Sequence, residues 1–298
     1  MRTSLHNKIV VITGGARGIG LATAHAVAAR DARVVIGDLD GDGARRAAKD
    51  VGVTAVGMRL DVTDHAGFTE FLDAVEGEVG AIDVLINNAG IMPIALLGDE
   101  SDVTTQRILD VNVAAVIHGT REAMRRMTAR RSGHIVNLAS VAGKVGVAGG
   151  ATYCASKFAV VGLCEAVRSE LRGTGVAISC VMPTIVNTEL AAGLAETRLS
   201  SHVEPTDVAA AIVDAIEKRR FEVWVPRYLG TLDKMMRPLP RAFNEWLLRV
   251  TGSDTLMTDA VHSPARAAYE QRAAAGAPAV SATNGGTATR APRADHST

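Results

Sequence analysis

Seven short apolar runs rich in β-branched residues punctuate the first 225 residues, at 8–13, 33–38, 54–60, 82–87, 134–138, 176–182 and 222–225. Each is bounded by Gly, Asp or Asn and is apolar almost throughout, as a strand covered on both faces should be. Longer stretches with helical period lie between them. In 64–79, Phe68, Phe71, Leu72, Val75 and Val79 fall on one helical face. Similar helices are predicted at 18–30, 41–51, 104–130, 153–172 and 206–219. Strand–helix alternation of this kind predicts an α/β fold, a doubly wound parallel sheet of about seven strands with helices on both faces. Ligands of such sheets bind beyond the carboxyl ends of the strands.

Two predicted helices are apolar over more than one stripe. In 153–172, Val160, Val161, Leu163, Cys164, Val167 and Leu171 spread widely, and 104–130 carries Val111, Val113, Val116 and Ile117 close together. Such helices are buried on more than one side, by their own sheet and neighbours or by a second subunit. The pattern changes after Pro226, so the chain divides into a domain at 7–226, a helical extension at 227–273 and a tail at 274–298. The extension holds one short amphipathic helix at 241–250 with Phe243, Trp246, Leu247 and Val250 on one face. Three destinations are open to it: a cap over a substrate pocket, a subunit interface, or a membrane surface. The tail is Ala, Gly, Thr, Ser and Pro with scattered Arg, too poor in apolar surface to offset its ordering entropy, and is expected to be disordered.

Composition narrows the function classes. Lys+Arg and Asp+Glu are both 32 and aromatics are 3%, which leaves no electrostatic or stacking footprint for nucleic acid. Cys154, Cys164 and Cys180 form an odd, sparse set without zinc-ligand spacing, so neither a disulfide framework nor a metal site is expected. The polar N-terminus lacks a signal-peptide core, and no apolar run approaches the ~18 residues of a membrane span. The expectation is a cytoplasmic protein.

The first predicted strand runs into Thr13-Gly14-Gly15-Ala16-Arg17-Gly18-Ile19-Gly20, and a helix follows. Glycines there permit a tight turn, close approach of the backbone to a pyrophosphate, and close helix–strand packing. The helix N-terminus supplies unpaired N–H groups for phosphate oxygens. A glycine loop alone is weak evidence, but its position between strand and helix points to dinucleotide binding and a Rossmann-like fold. Asp38 ends the second strand, 18 residues past Gly20. Its carboxylate suits a pair of ribose hydroxyls and repels a 2′-phosphate, which favours NAD over NADP; the bland alternative is that Asp38 caps the next helix. Arg17 argues the other way, because an arginine beside this loop can pair with a 2′-phosphate.

With Asp61-Val62, Asn87-Asn88-Ala89-Gly90, Asn112, Ser140, Tyr153-Cys-Ala-Ser-Lys157 and Pro183…Thr188 following in order, residues 7–225 resemble the short-chain dehydrogenase/reductase family. The resemblance implies an NAD(P)-dependent oxidoreductase acting on CH–OH groups, with Asn112, Ser140, Tyr153 and Lys157 as its catalytic tetrad. It places Gly14, Arg17, Gly18, Ile19, Gly20, Asp38, Asp61, Val62, Asn88, Ala89, Gly90, Tyr153, Lys157, Pro183, Val186 and Thr188 around the cofactor. Tyr153 would be the acid/base, and Lys157, four residues on, shares its helical face. The Lys157 ammonium, together with the positive charge of the oxidised nicotinamide, is expected to lower the phenol's pKa from about 10. Ser140 would bond the substrate oxygen, and Asn112 would position a water that links Lys157 to solvent. One departure is Thr184 where the family commonly has Gly after Pro; either this loop avoids a positive φ or the cofactor wall is reshaped.

Segments 91–97, 141–151 and 185–199 are expected to face the substrate, with Met92, Ile94, Leu97, Val145, Leu190 and Leu194 among their apolar residues. They predict a hydrophobic secondary alcohol or ketone, steroid-like or lipid-like. The family also implies a homodimer or homotetramer through the two apolar helices. The competing readings are an NADP-dependent carbonyl reductase and a non-catalytic cofactor-binding protein on the same fold. His118 and His134 are assigned structural roles.

Overall fold

A computed structural model describes residues 3–194, 202–236, 238–252, 255–261 and 263–275. Its seven strands are β1 (Ile9–Thr13), β2 (Arg33–Asp38), β3 (Ala55–Arg59), β4 (Val84–Asn87), β5 (Gly133–Leu138), β6 (Val176–Pro183) and β7 (Glu222–Val225). They form one parallel sheet in the order β3-β2-β1-β4-β5-β6-β7. The chain therefore works outward from β1 to β3, then returns to place β4 on the other side of β1. That reversal opens a crevice between the carboxyl ends of β1 and β4.

Alternation along each strand sends side chains into two separate layers. Val11, Val35, Leu85, Ile135 and Ile178 meet α3 (His65–Glu78), α5 (Ala115–Ala129) and α6 (Ala151–Glu170), through Phe68, Leu72, Val75, Met127, Cys164 and Val167. Val10, Ile12, Val34, Ile36 and Val136 meet α1 (Gly18–Ala28), α2 (Gly41–Val51) and α7 (Pro205–Lys218), through Val27, Ala44, Ala48, Val208 and Ile212. Each large aliphatic side chain so buried contributes about 1.5–3 kcal/mol of transfer free energy.

The helix predicted at 104–130 is not uniform. It comprises α4 (Asp102–Leu109), a π-helical turn over Asp110–Ala114, and α5. The chain itself covers most of the surplus apolar residues: Val111, Val116, Val160, Val161, Cys164, Val167 and Leu171 are buried, whereas Val113, Ile117 and Leu163 are half-buried. Among the described residues, the non-glycine residues at positive φ are Asn7, Asp31, Arg131 and Arg219. Thr184 is not among them, so the loop after β6 avoids the conformation that would demand glycine.

Beyond β7 there is more helix than periodicity showed. Besides α9 (Arg241–Thr251), the chain forms α8 (Tyr228–Met236) and α10 (Pro264–Ala275). Residues 274 and 275, assigned to the tail from sequence, close α10; residues 276–298 lie outside the described residues. On α9 Phe243, Trp246 and Val250 remain exposed, whereas Leu229 of α8 is buried. No helix among the described residues is long and apolar enough to cross a membrane.

Candidate active site

Every strand on the crevice side of the sheet ends at one cleft of about 1160 Å³. Its cofactor end is shaped by the glycine loop. Gly14 (φ +63°) and Gly18 (φ +53°) hold backbone conformations that favour glycine. A Cβ on Gly20 would stand 2.4 Å from the Gly14 carbonyl oxygen and 2.7 Å from Asn88 Nδ2. The loop is tied down from β4. Asn88 Nδ2 donates to the carbonyls of Thr13 and Gly14, both at 2.9 Å. The backbone N–H groups of Asn88 and Ala89 both donate to Thr13 Oγ1 at 3.1 Å. No motif flags Thr13 for this role. Its hydroxyl is one link in the clamp that holds the cradle open.

Asp38 is 6% exposed and lines the cleft. Its carboxylate accepts from the N–H of Ala16 at 3.0 Å and of Asp40 at 3.1 Å. It does not cap α2; Asp40 does, accepting from the Gly43 N–H. Arg17 lines the cleft but pairs with Glu189 at 3.6 Å, on the side where Gly18 faces Thr188. Ile19, Asp61, Val62, Gly90, Pro183, Val186 and Thr188 line the same cleft. A bare glycine cradle at a helix N-terminus, a buried carboxylate past it and small residues between fit a dinucleotide.

At the other end, Ser140, Tyr153 and Lys157 converge on the cleft. Ser140 follows β5 and its Oγ accepts from the Ala142 N–H at 3.1 Å, which fixes its rotamer. Tyr153 and Lys157 are one turn apart near the start of α6, and Lys157 Nζ lies 5.7 Å from the phenol ring centroid. Lys157 Nζ donates to the Leu138 carbonyl at 3.0 Å. Gly90 lies beside this group: a Cβ there would stand 3.7 Å from Lys157 Nζ, at ordinary contact distance.

One expectation is corrected here. Lys157 does not by itself lower the phenol's pKa. Instead burial pushes Tyr153 up to about 12, against a downward pull from the Ser140 hydroxyl, and burial brings Lys157 down to about 8. Taking either charge out of water costs more than the pair recovers at this separation. The fully buried side chain of Asn112 pairs with the backbone of Ile91, accepting from N–H at 2.9 Å and donating to C=O at 2.8 Å, and it also donates to Ser156 Oγ at 3.1 Å. Asn112 thus fixes the turn after β4, and it sits in the π-helical turn that periodicity could not reveal.

Residues 8–199 match the short chain dehydrogenase family. The protein belongs to that family. Among its curated relatives, galactitol 2-dehydrogenase of Agrobacterium fabrum is 38% identical over 62% of this chain and 73% of its own length. Human 17-beta-hydroxysteroid dehydrogenase 13 is 32% identical over 84% of this chain and 85% of its own. A short chain dehydrogenase/reductase from Burkholderia phymatum, solved in complex with NAD, superimposes with a TM-score of 0.73 at 29% identity, covering 79% of this chain and 95% of that one. This short-chain dehydrogenase is accordingly an oxidoreductase acting on CH–OH groups. The structure also brings Tyr269 of α10 into the cleft, a residue without any sequence motif to flag it.

Proposed function

We propose that the protein transfers a hydride between NAD(H) and an apolar secondary alcohol or ketone, with Tyr153 as acid and base. The observation that carries this reading is the convergence of Ser140, Tyr153 and Lys157 on one cleft that also contains Asp38 and the glycine cradle. Asp38 supports NAD, because a buried carboxylate disfavours a 2′-phosphate. Arg17, the residue that argued for NADP, is paired with Glu189. The solved relative that contains NAD supports the same choice.

NAD supplies a ring carbon that gives or takes the hydride. The chain's own residues handle the proton. With its phenol at about 12, Tyr153 holds its proton at neutral pH and is poised to donate it to a ketone oxygen as the hydride arrives. In the reverse direction it must receive the alcohol's proton as phenolate, and the Lys157 ammonium, still charged below about 8, stabilises that anion. Ser140 bonds the same substrate oxygen and stabilises charge developing there. Around the reacting group, Met92, Leu190, Leu194, Leu256 and Met257 supply an apolar wall, which supports a hydrophobic substrate. Val103 and Leu109 of α4 stay exposed beside α6, a face on which a second copy would bury apolar area.

The deciding experiment is Tyr153→Phe. It should leave NADH affinity within about twofold and reduce ketone reduction by a factor on the order of 10³ or more. Retained turnover sinks the assignment. Tighter binding of NADPH than NADH by the unaltered protein sinks the cofactor choice.

A further inference from the structure

Residues far along the chain draw the loops around the substrate end together. Arg266 of α10 is 1% exposed. Its guanidinium donates to the carbonyls of Met92 and Leu190 at 2.7 Å, of Ala192 at 3.0 Å, and to Glu270 Oε1 at 2.9 Å. One turn on, Tyr269 Oη accepts the Met92 N–H at 2.7 Å. Both backbone groups of Met92 are therefore held by α10. The preceding segment presses on the third loop: a Cβ on Gly150 would lie 2.4 Å from Met257 Sδ. Met257, Arg266, Tyr269 and Glu270 all lie beyond residue 199, where the family match ends.

Tyr269 is 8% exposed and lines the same cleft as Tyr153 and Ser140. Burial pushes its phenol pKa upward, so Oη keeps its hydrogen across the working range. The Met92 N–H occupies a lone pair of Oη, but the hydroxyl hydrogen has no acceptor among the described residues. A buried donor without an acceptor is costly, and such groups in native structures call for an explanation. A ligand in the cleft can supply that acceptor, because Tyr269 lines it together with Met92, Leu194 and Met257. The cation beside the ring, Arg266 at 5.1 Å, is already spent on Glu270 and three carbonyls, so the ligand atom needs no negative charge.

We infer that Tyr269 is a substrate-binding residue whose Oη–H donates to a second, uncharged oxygen of the substrate, distinct from the one that reacts at Tyr153. The substrate class is then an apolar alcohol or ketone with two oxygen functions. Arg266 is the positioning residue that sets the height of Tyr269 over the cleft. This inference rests on the proposed function for the identity of the reacting group, and its test is a binding measurement that does not depend on turnover.

The probes are saturated steroid monoketones and diketones that differ in the position of the second oxygen, titrated calorimetrically into the complex with NADH. At least one diketone should bind about 3- to 10-fold tighter than its monoketone, the range of one neutral hydrogen bond. Tyr269→Phe should bring that ratio to about one with NADH affinity near that of the unaltered protein, and because it also orphans the Met92 N–H it should lower the melting temperature by a few degrees. Arg266→Met should also lose the ratio, and Arg266→Lys should restore part of it. A ratio near one for every pair in the unaltered protein overturns the inference, whatever the variants do. An undiminished ratio in Tyr269→Phe overturns it as well. Turnover lost in Tyr153→Phe alongside a flat binding ratio would uphold the function and reject this inference. Failure to bind any of the ketones rejects both the apolar substrate and this inference.

Discussion

The two ends of the cleft are held by different kinds of bond. At the glycine loop, Thr13 and Asn88 sit at the ends of β1 and β4, strands already paired through Val10–Val84 and Ile12–Ile86. The sheet ladder brings them together, and short side chains then close the last gap to backbone. At the substrate end no ladder joins Met92, Leu190 and Ala192. They are gathered by a single guanidinium from α10. The first arrangement is rigid because it is continuous with the core, and it tolerates no added atom. The second is a strap: its guanidinium bonds are strong because they are buried and charge-assisted, but they all hang on Arg266, with Tyr269 adding only its bond to the Met92 N–H. A fold built this way can hold its cofactor site constant while a separate segment sets what is reduced or oxidised.

The sharpest way to break this comparison is one methyl group at each end. In Gly20→Ala the new Cβ meets backbone oxygen at 2.4 Å, so the cradle itself must move. NADH affinity, read by fluorescence titration, should fall by about 100-fold or more, since a close approach of backbone to phosphate is lost. Gly193→Ala places its Cβ 2.7 Å from Ser263 Oγ at a φ of +78°, beside Arg266. It should raise ketone KM by roughly fivefold and leave NADH affinity unchanged, as expected of local strain of about 1 kcal/mol. If both variants lose cofactor equally, the ends are not independent.

How much of each end could be read from sequence follows from the same contrast. Strands β2 and β7 were predicted to the residue and the others within one or two, because a buried parallel strand advertises itself as an unbroken apolar run. The glycine loop was legible for a related reason: its residue types are dictated by local backbone geometry. The π-helical turn at Asp110–Ala114 was not, since its residues suit an ordinary helix and only the packing of Asn112 against Ile91 distinguishes it. Arg266 and Tyr269 were invisible for a stronger reason. Their partners lie 76 and 177 residues away, joined to them by no ladder or spacing rule. The pKa of Tyr153 was misread because Lys157 at four residues is a fact of sequence, while the burial that outweighs it is a fact of packing.

The frame shared by both ends can be weakened by acid. His134 of β5 is 4% exposed, and its Nε2 lies 2.7 Å from Ser179 Oγ on β6. Ser179 gives its own hydrogen to the Arg220 carbonyl, so Nε2 is the donor to Ser179. Burial, reinforced by Arg219, lowers its pKa to about 3 from 6.5. Between these values the unfolded chain binds the extra proton, so stability is intact above 6.5 and is lost progressively as pH falls. From pH 7 to pH 5 the loss should be about 2 kcal/mol by denaturant melts. His134→Gln should flatten that slope; an unchanged slope would place the acid sensitivity elsewhere.

A smaller effect sharpens the reading of the cofactor end. Asp38→Ala should cost NAD about 10-fold in affinity and narrow its advantage over NADP, about 1.4 kcal/mol for the lost ribose contact. Because the same carboxylate also accepts from Ala16 and Asp40, part of that loss could come through the loop. Asp40→Ala separates the two contributions. It removes the cap that accepts from the Gly43 N–H at 2.8 Å, which should cost about 1 kcal/mol and lower the melting temperature by a few degrees. It leaves the Asp38 carboxylate and the Asp40 N–H in place. The NAD-to-NADP ratio should therefore stay where it was, even as α2 loosens. If that ratio falls as far in Asp40→Ala as in Asp38→Ala, then Asp38 discriminates by shaping the loop, and its direct contact with the ribose contributes little.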